Sequence, residues 1–227
     1  MKLLKNEWLQ LLILAAPFCA AALLWDKLPE RLPCHWNFRG KIDGYADKNF
    51  GALFMPIVNI ALVVLIIYLP RLDPKRRNYD AETNASIAGV FRIFRLAISL
   101  FLSALTLAAF AVALGFHLNI IRFVVGALGA MFVVMGNSMG KLRPNWFAGF
   151  RTPWTLESRT VWIKTHRLGG RLMVGSGIGL FVESLFLPTR FCFLAGIVPM
   201  IILVAIVPAA YSYFSYRAEK KTSETVH

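Results

Sequence analysis

Charged residues are scarce in this chain, at 16 % of its 227 residues against 57 % apolar ones. That balance excludes an ordinary soluble domain, because several uncharged apolar runs reach or approach the ~20 residues needed to cross a bilayer. Acids are scarcer still, with 12 Asp and Glu against 25 Lys and Arg. In a soluble protein the resulting formal charge of +13 would point to nucleic acid. Here the cations sit between the apolar runs, as expected for lysines and arginines kept on the cytoplasmic face of a membrane protein. No direct contact with nucleic acid is therefore expected. Cysteine is limited to three residues, Cys19 inside the first apolar run and Cys34 and Cys192 flanking others. There is no CxxC spacing and no Cys/His cluster of zinc type, so no metal site and no cofactor are expected. Cys34 and Cys192 would have the option of pairing if they share the outer face, which sequence does not decide. Catalytic signatures are missing too: no G-x-S-x-G, no H-E-x-x-H, no paired carboxylates at helix spacing. "GNSMGK" lacks the spacing and the final hydroxyl of a phosphate loop. No catalytic residue is assigned.

What the chain does have is six apolar runs: Leu9–Trp25, Gly51–Leu69, Leu96–Leu114, Ile120–Met139, Leu172–Leu187 and Phe191–Tyr213. The first follows Lys2 and Lys5 like a signal peptide, but its apolar stretch continues through "AAALLW", so it reads as a retained signal-anchor helix. "GFHLN" (115–119) is the turn between the third and fourth runs. Pro199 and Pro208 are expected to kink the sixth. The expected fold class is an all-α integral membrane protein with six transmembrane helices and both termini cytoplasmic. With the amino terminus inside, 18 cations fall on inner segments and seven on outer ones, as the positive-inside rule demands. The chain divides into a two-helix unit (1–70) with a structured outer loop (26–50), a four-helix membrane unit (71–214) with a basic cytoplasmic loop (140–171), and a polar tail (215–227) expected to be disordered.

The outer loop, "LPERLPCHWNFRGKIDGYADKNF" (28–50), is rich in turn formers. "DGY" reads as a turn in which Gly44 takes a positive φ. Trp36 and Tyr45 suit the headgroup level. His35 with Asp43 or Asp47 has the chemistry to ligate a metal or exchange a proton, though a compact loop cap is the favoured reading. Glu183, near the outer end of the fifth run, is either a functional intramembrane acid partnered by Arg190, His35 or Arg122, or a residue reaching the outer interface. Gly175 with Gly179, and Gly136 with Gly140, have the four-residue spacing that lets helices approach closely.

"NWFAGFRTPWTLESRTVWIKTHRLGGR" (145–171) holds three tryptophans, four arginines and a lysine against one acid. A helix can start with Thr152 as cap and Pro153 at its first position, or with Thr155 as cap. Arg159, Lys164, Arg167 and Arg171 would then reach phosphates, with Trp154 and Trp162 at the interface. This describes a basic helix on the inner leaflet, attracted to anionic lipid. The alternative is a docking surface for a cytosolic protein.

"GNSMGKLRPNWFAGFRTPWTLESRTVWIKTHRLGGR" (136–171) resembles the signature region of the SdpI-type immunity proteins of bacteria. "LPCHWNFRGKIDGYADK" (32–48) resembles a P-x-H-W-N…D-G-Y element often placed before it. The resemblance implies a six-helix protein of the bacterial cytoplasmic membrane that gives immunity to a secreted toxic peptide. It also implies signalling of that peptide, by holding a cytosolic transcriptional repressor at the membrane. Carried over by position, the inner partner-binding candidates are Asn137, Lys141, Asn145, Arg151, Thr152, Trp154, Thr155, Trp162, Thr165, His166 and Arg167. The outer ligand-binding candidates are Pro33, His35, Trp36, Asn37, Gly40, Asp43, Gly44, Tyr45 and Glu183. The rival expectations are a membrane enzyme or small-molecule transporter, using His35, Asp43 and Glu183 or His166 and Arg151, and a structural subunit.

Overall fold

The computed structural model describes residues 7–37, 39–188 and 191–224, without the side chains of 192–194 and 223–224. Lys2, Lys5, Arg190 and the side chain of Cys192 thus lie outside the described residues; Cys34 is a free thiol. Helix α1 spans Trp8–Leu24. An antiparallel hairpin follows, β1 (Arg31–Trp36) and β2 (Ile42–Asp47). Helix α2 is Lys48–Tyr68, α3 Ala81–Ala113, α4 Ile120–Met139, α5 Pro153–Glu157 and α6 Arg159–Phe186. The last rod contains α7 (Val198–Ile201) and α8 (Val207–Glu224), preceded respectively by π-helical turns Cys192–Ile197 and Ile202–Ile206.

Side-chain caps set most of the starts, because the first N–H groups of a helix have no partner within it. Asp47 accepts from Phe50 N at 3.1 Å, Asp80 from Thr83 N at 2.6 Å and Asn119 from Arg122 N at 3.2 Å. Ser158 does the same for α6, accepting from Val161 N at 3.2 Å. In the 115–119 turn Gly115 takes φ 89°. Among the described residues five helices are long and apolar enough to cross a membrane: those at 8–27, 48–71, 81–113, 120–139 and 195–222. Helix α6 is not among them; its glycines, Arg171 and Glu183 dilute its apolar content. The chain is an all-α membrane protein with one small hairpin.

Several expectations need correction. Helix α3 begins 15 residues before Leu96, so Arg92 and Arg95 belong to a helix and not to a loop. Its 33 residues span about 50 Å, well beyond a ~30 Å hydrocarbon core. No helix lies separately along the surface at 159–171. That segment is the first half of α6 and buries Val161, Trp162, Thr165 and His166. The tail is helical through Glu224, not disordered. Pro199 and Pro208 each follow a π-helical turn, where the wider backbone accommodates a residue that cannot donate a hydrogen bond.

Helices α4 and α6 pack antiparallel through glycines, though only in part those singled out from spacing. A Cβ on Gly129 would come 2.5 Å from the carbonyl oxygen of Gly177, and one on Gly177 2.6 Å from that of Gly129. Gly136 lies likewise against Gly170. Gly175 and Gly179 face open space, and Gly140 meets only Arg167 at ordinary distance. The reason is register: the contacting row on α6 is 170–177–184, so 175 and 179 fall on another face. A test follows. Gly177→Val should force the helices apart, lowering the melting temperature in detergent by several degrees or abolishing folded protein. Gly175→Ala should leave melting unchanged or slightly raised, since Ala favours helix over Gly by about 1 kcal/mol.

Candidate functional site

Two candidate sites lie at opposite ends of the helices. At the hairpin end the turn is built by Asn37, whose Oδ1 accepts from Arg39 N at 2.9 Å and Lys41 N at 3.2 Å. The positive φ belongs to Gly40, at 77°. Gly44 is not the turn: it sits in β2 opposite His35, where a Cβ would come 2.9 Å from the His35 Cβ. His35 Nδ1 and Asp43 Oδ1 are 2.5 Å apart and both side chains are exposed. Asp47 is occupied as the α2 cap. Among the described residues no three His, Cys, Asp or Glu side chains gather as a metal site would require. Tyr45 is exposed.

The hairpin is fastened by Leu32, which fills the notch left by Gly51 and packs with Ala21, Leu28, Ala52 and Phe110. Beside it opens a cleft of about 430 Å³. Pro33, Cys34 and Trp36 form one wall, Phe50 and Phe54 of α2 another, and Leu105 of α3 with Val124 of α4 help close it. The Phe50 and Phe54 rings stack 4.6 Å apart. Its chemistry is apolar and aromatic, suited to a hydrophobic ligand. Glu183 does not line this cleft; its carboxyl occupies the notch left by Gly196 in the last rod. Arg122, one of the three partners expected for it, donates to the Leu187 carbonyl at 3.0 Å.

At the other end, 140–158 folds into a packed knot around His166. The imidazole Nδ1 lies 2.8 Å from the Trp162 carbonyl, which can only accept, so Nδ1 carries the proton. Nε2 then accepts from the Phe150 N–H at 3.0 Å. The neutral tautomer is fixed by both bonds. Trp162 and His166 stack at 4.0 Å, and Trp162 Nε1 donates to the Leu142 carbonyl at 2.8 Å. Both side chains are 0 % exposed. Gly149, at φ 104°, runs so close to Nε2 that no side chain fits there. Burial lowers the His166 pKa to about 4.

Asn145 organises the loop before it. Its Oδ1 accepts from Phe147 N (2.9 Å) and Ala148 N (2.8 Å), and its Nδ2 donates to the carbonyls of Arg143 and Ala148. Thr152 and Thr155 form a reciprocal cap, so the first of the two expected helix starts holds. Thr155 Oγ1 also donates to the Phe150 carbonyl at 2.7 Å. Thr152 meets Ser212 of α8 at 2.9 Å, and Trp154 packs edge-on against Tyr213 at 5.0 Å. Composition concealed Asp73, which lies in a run of cations. It is 7 % exposed, accepts from Trp146 N and from Tyr79 Oη at 3.1 Å each, and ties the 71–80 loop to this knot. Burial, then the Asp73 bond and charge, push the Tyr79 hydroxyl pKa up to about 12. A proline directly after the acid was the available signal.

Of the inner candidates, Asn145, Thr155, Trp162, Thr165 and His166 are interior, and Thr152 and Trp154 are half-buried. Asn137, Lys141, Arg151 and Arg167 are exposed. Lys141 and Arg167 share with Arg143 a cavity of about 390 Å³, edged by Glu82, which accepts from Arg143 at 2.7 Å.

The depressed His166 pKa has a sign. Between its unfolded value near 6.5 and about 4, the unfolded chain binds a proton that the folded chain refuses. Stability is therefore complete above pH 6.5 and falls as pH drops toward 4, by on the order of 3 kcal/mol from this group. His166→Gln should be less stable at pH 7 and lose most of that slope. Melting temperatures of both proteins between pH 7 and 4 check it.

Comparison with known proteins adds what geometry does not. Residues 141–212 match the SdpI/YfhL protein family, and residues 12–60 match a domain of unknown function (DUF1648). The chain is 25 % identical over 211 residues to a Bacillus subtilis (strain 168) protein described as "Immunity protein SdpI", covering 93 % of this chain and 97 % of that one. No solved structure matches. The SdpI/YfhL match falls on the knot and the helices it fastens, and the likeness to the immunity protein runs through nearly the whole chain.

Proposed function

We propose that this protein protects a bacterial cell from a secreted toxic peptide, which it binds in the cleft beside the hairpin. In this reading it sits in the cytoplasmic membrane with six spans, the part of α6 from Leu172 onward being the fifth, and with both termini inside. The cleft carries the proposal: it is apolar, rimmed by aromatics, and at the end of the helices poorer in cations. The full-length likeness to an immunity protein supports the same role. The 18 to 7 division of cations in favour of the knot end supports the orientation.

A second output, signalling to a cytosolic repressor, would use the exposed shoulder of Lys141 and Arg167. Their shared cavity is a basic, accessible feature lined largely by the family-matched segment. The enzyme or transporter alternative gains little. Glu183 lines no cleft with His35 and Asp43, and His166 has both nitrogens engaged by backbone.

Expression in a peptide-sensitive host should raise survival. Trp36→Ala with Phe54→Ala should cut protection by roughly 10- to 100-fold in peptide concentration at unchanged protein level, the usual cost of removing aromatic anchors. Survival equal to the parent's would remove the cleft from the mechanism. Lys141→Glu with Arg167→Glu should keep protection and lose induction of a reporter; induction at parental level would sink the signalling surface.

A further inference from the structure

We propose that the crevice between the knot-end portions of α2 and α3 is a binding site for the phosphate group of an anionic lipid. The crevice encloses about 390 Å³ where α1 begins, α2 ends and α3 begins. Four guanidinium groups line it, from Arg71, Arg76, Arg92 and Arg95, against a single carboxylate, Glu7. That carboxylate is already bound by Arg95 Nη2. The remaining charge is strongly positive, in a concave place where field lines concentrate.

Arg95 supplies the second observation. It is 7 % exposed, and its Nε is buried with no hydrogen-bond acceptor among the described residues. A buried charged donor without an acceptor is costly, and a phosphate oxygen is the acceptor that matches a guanidinium edge. Arg71 sits over the Tyr68 ring at 5.0 Å, a contact that holds it at the rim and uses none of its N–H donors. The other wall is apolar, formed by Ile66, Ile67, Ile87 and Phe91. Arginines beside an aliphatic and aromatic wall at the end of two membrane helices fit a phosphate carried on acyl chains better than a free anion. This site is separate from the hairpin cleft and stands whether or not the chain protects against a peptide.

The full-length protein, stripped of lipid in neutral detergent, provides the test. Phosphatidylglycerol, phosphatidylcholine and inorganic phosphate would be added at matched concentrations, with melting temperature and native mass spectrometry as readouts. Phosphatidylglycerol should raise the melting temperature and remain bound in the spectrometer; phosphatidylcholine and inorganic phosphate should do neither. Arg71→Gln with Arg76→Gln, both exposed and outside the core, should weaken the phosphatidylglycerol response about tenfold or more. Arg217→Gln with Lys220→Gln removes the same charge elsewhere and should leave it intact. An equal response to phosphatidylcholine overturns the site. So does an equal response to inorganic phosphate, which would make it a free-anion site, or equal loss in both double variants, which would make the effect one of general charge.

Discussion

A single neutral imidazole joins the parts of this protein that would otherwise be independent. His166 stands on α6, donates down its own helix to Trp162, and accepts from the backbone of the 140–152 loop at Phe150. Because both nitrogens are engaged, the loop can sit in one place only, with Gly149 threaded past the ring. From there the order spreads outward. Asn145 closes the turn, Asp73 adds the 71–80 loop through Trp146 N, and Thr152 reaches Ser212 on the last rod. Helices α2, α3, α6 and α8 are thereby referenced to one ring.

The glycine seam between α4 and α6 makes that arrangement possible. Backbones that touch through Gly129 and Gly177 leave no room for side chains, so α6 can be poor in apolar residues and still be tightly packed. Its low hydropathy and its fit are two aspects of one composition. Polar contacts continue the pattern on the other side, where Asn59 donates to the Ser99 carbonyl and to Ser103 Oγ, and Gln10 to Ser99 Oγ. Inside apolar surroundings such bonds fix helix register, because the alternative registers would leave amides unpaired.

Sequence reading recovered the elements whose signals are local. The apolar runs at 120–139 and 8–24 and the turn at 115–119 could be placed within a residue or two, and Thr152–Pro153 announced a helix start. It missed what depends on distant partners. Trp162 and the cations around it have the composition of a lipid-facing helix, and only the neighbouring α3, α4 and 140–152 loop turn Trp162 into core. The hairpin was hidden because Pro33 and Gly44, ordinarily turn residues, here sit in paired strands. Of the candidate residues, burial separates those that build the knot, such as His166 and Asn145, from those left accessible, such as Lys141 and Arg167; spacing alone could not.

The π-helical turns before Pro199 and Pro208 have a consequence for how the last rod is read. Each wide turn holds one residue more than an α turn, so it advances every later side chain by roughly 100° around the axis. Beyond both turns, Ser212, Tyr213, Tyr216 and Glu219 meet Thr152, Trp154, Glu157 and Ser158. The rod works as a vernier: its near end is set by the membrane helices, its far end by the knot, and the two extra residues reconcile their angular settings.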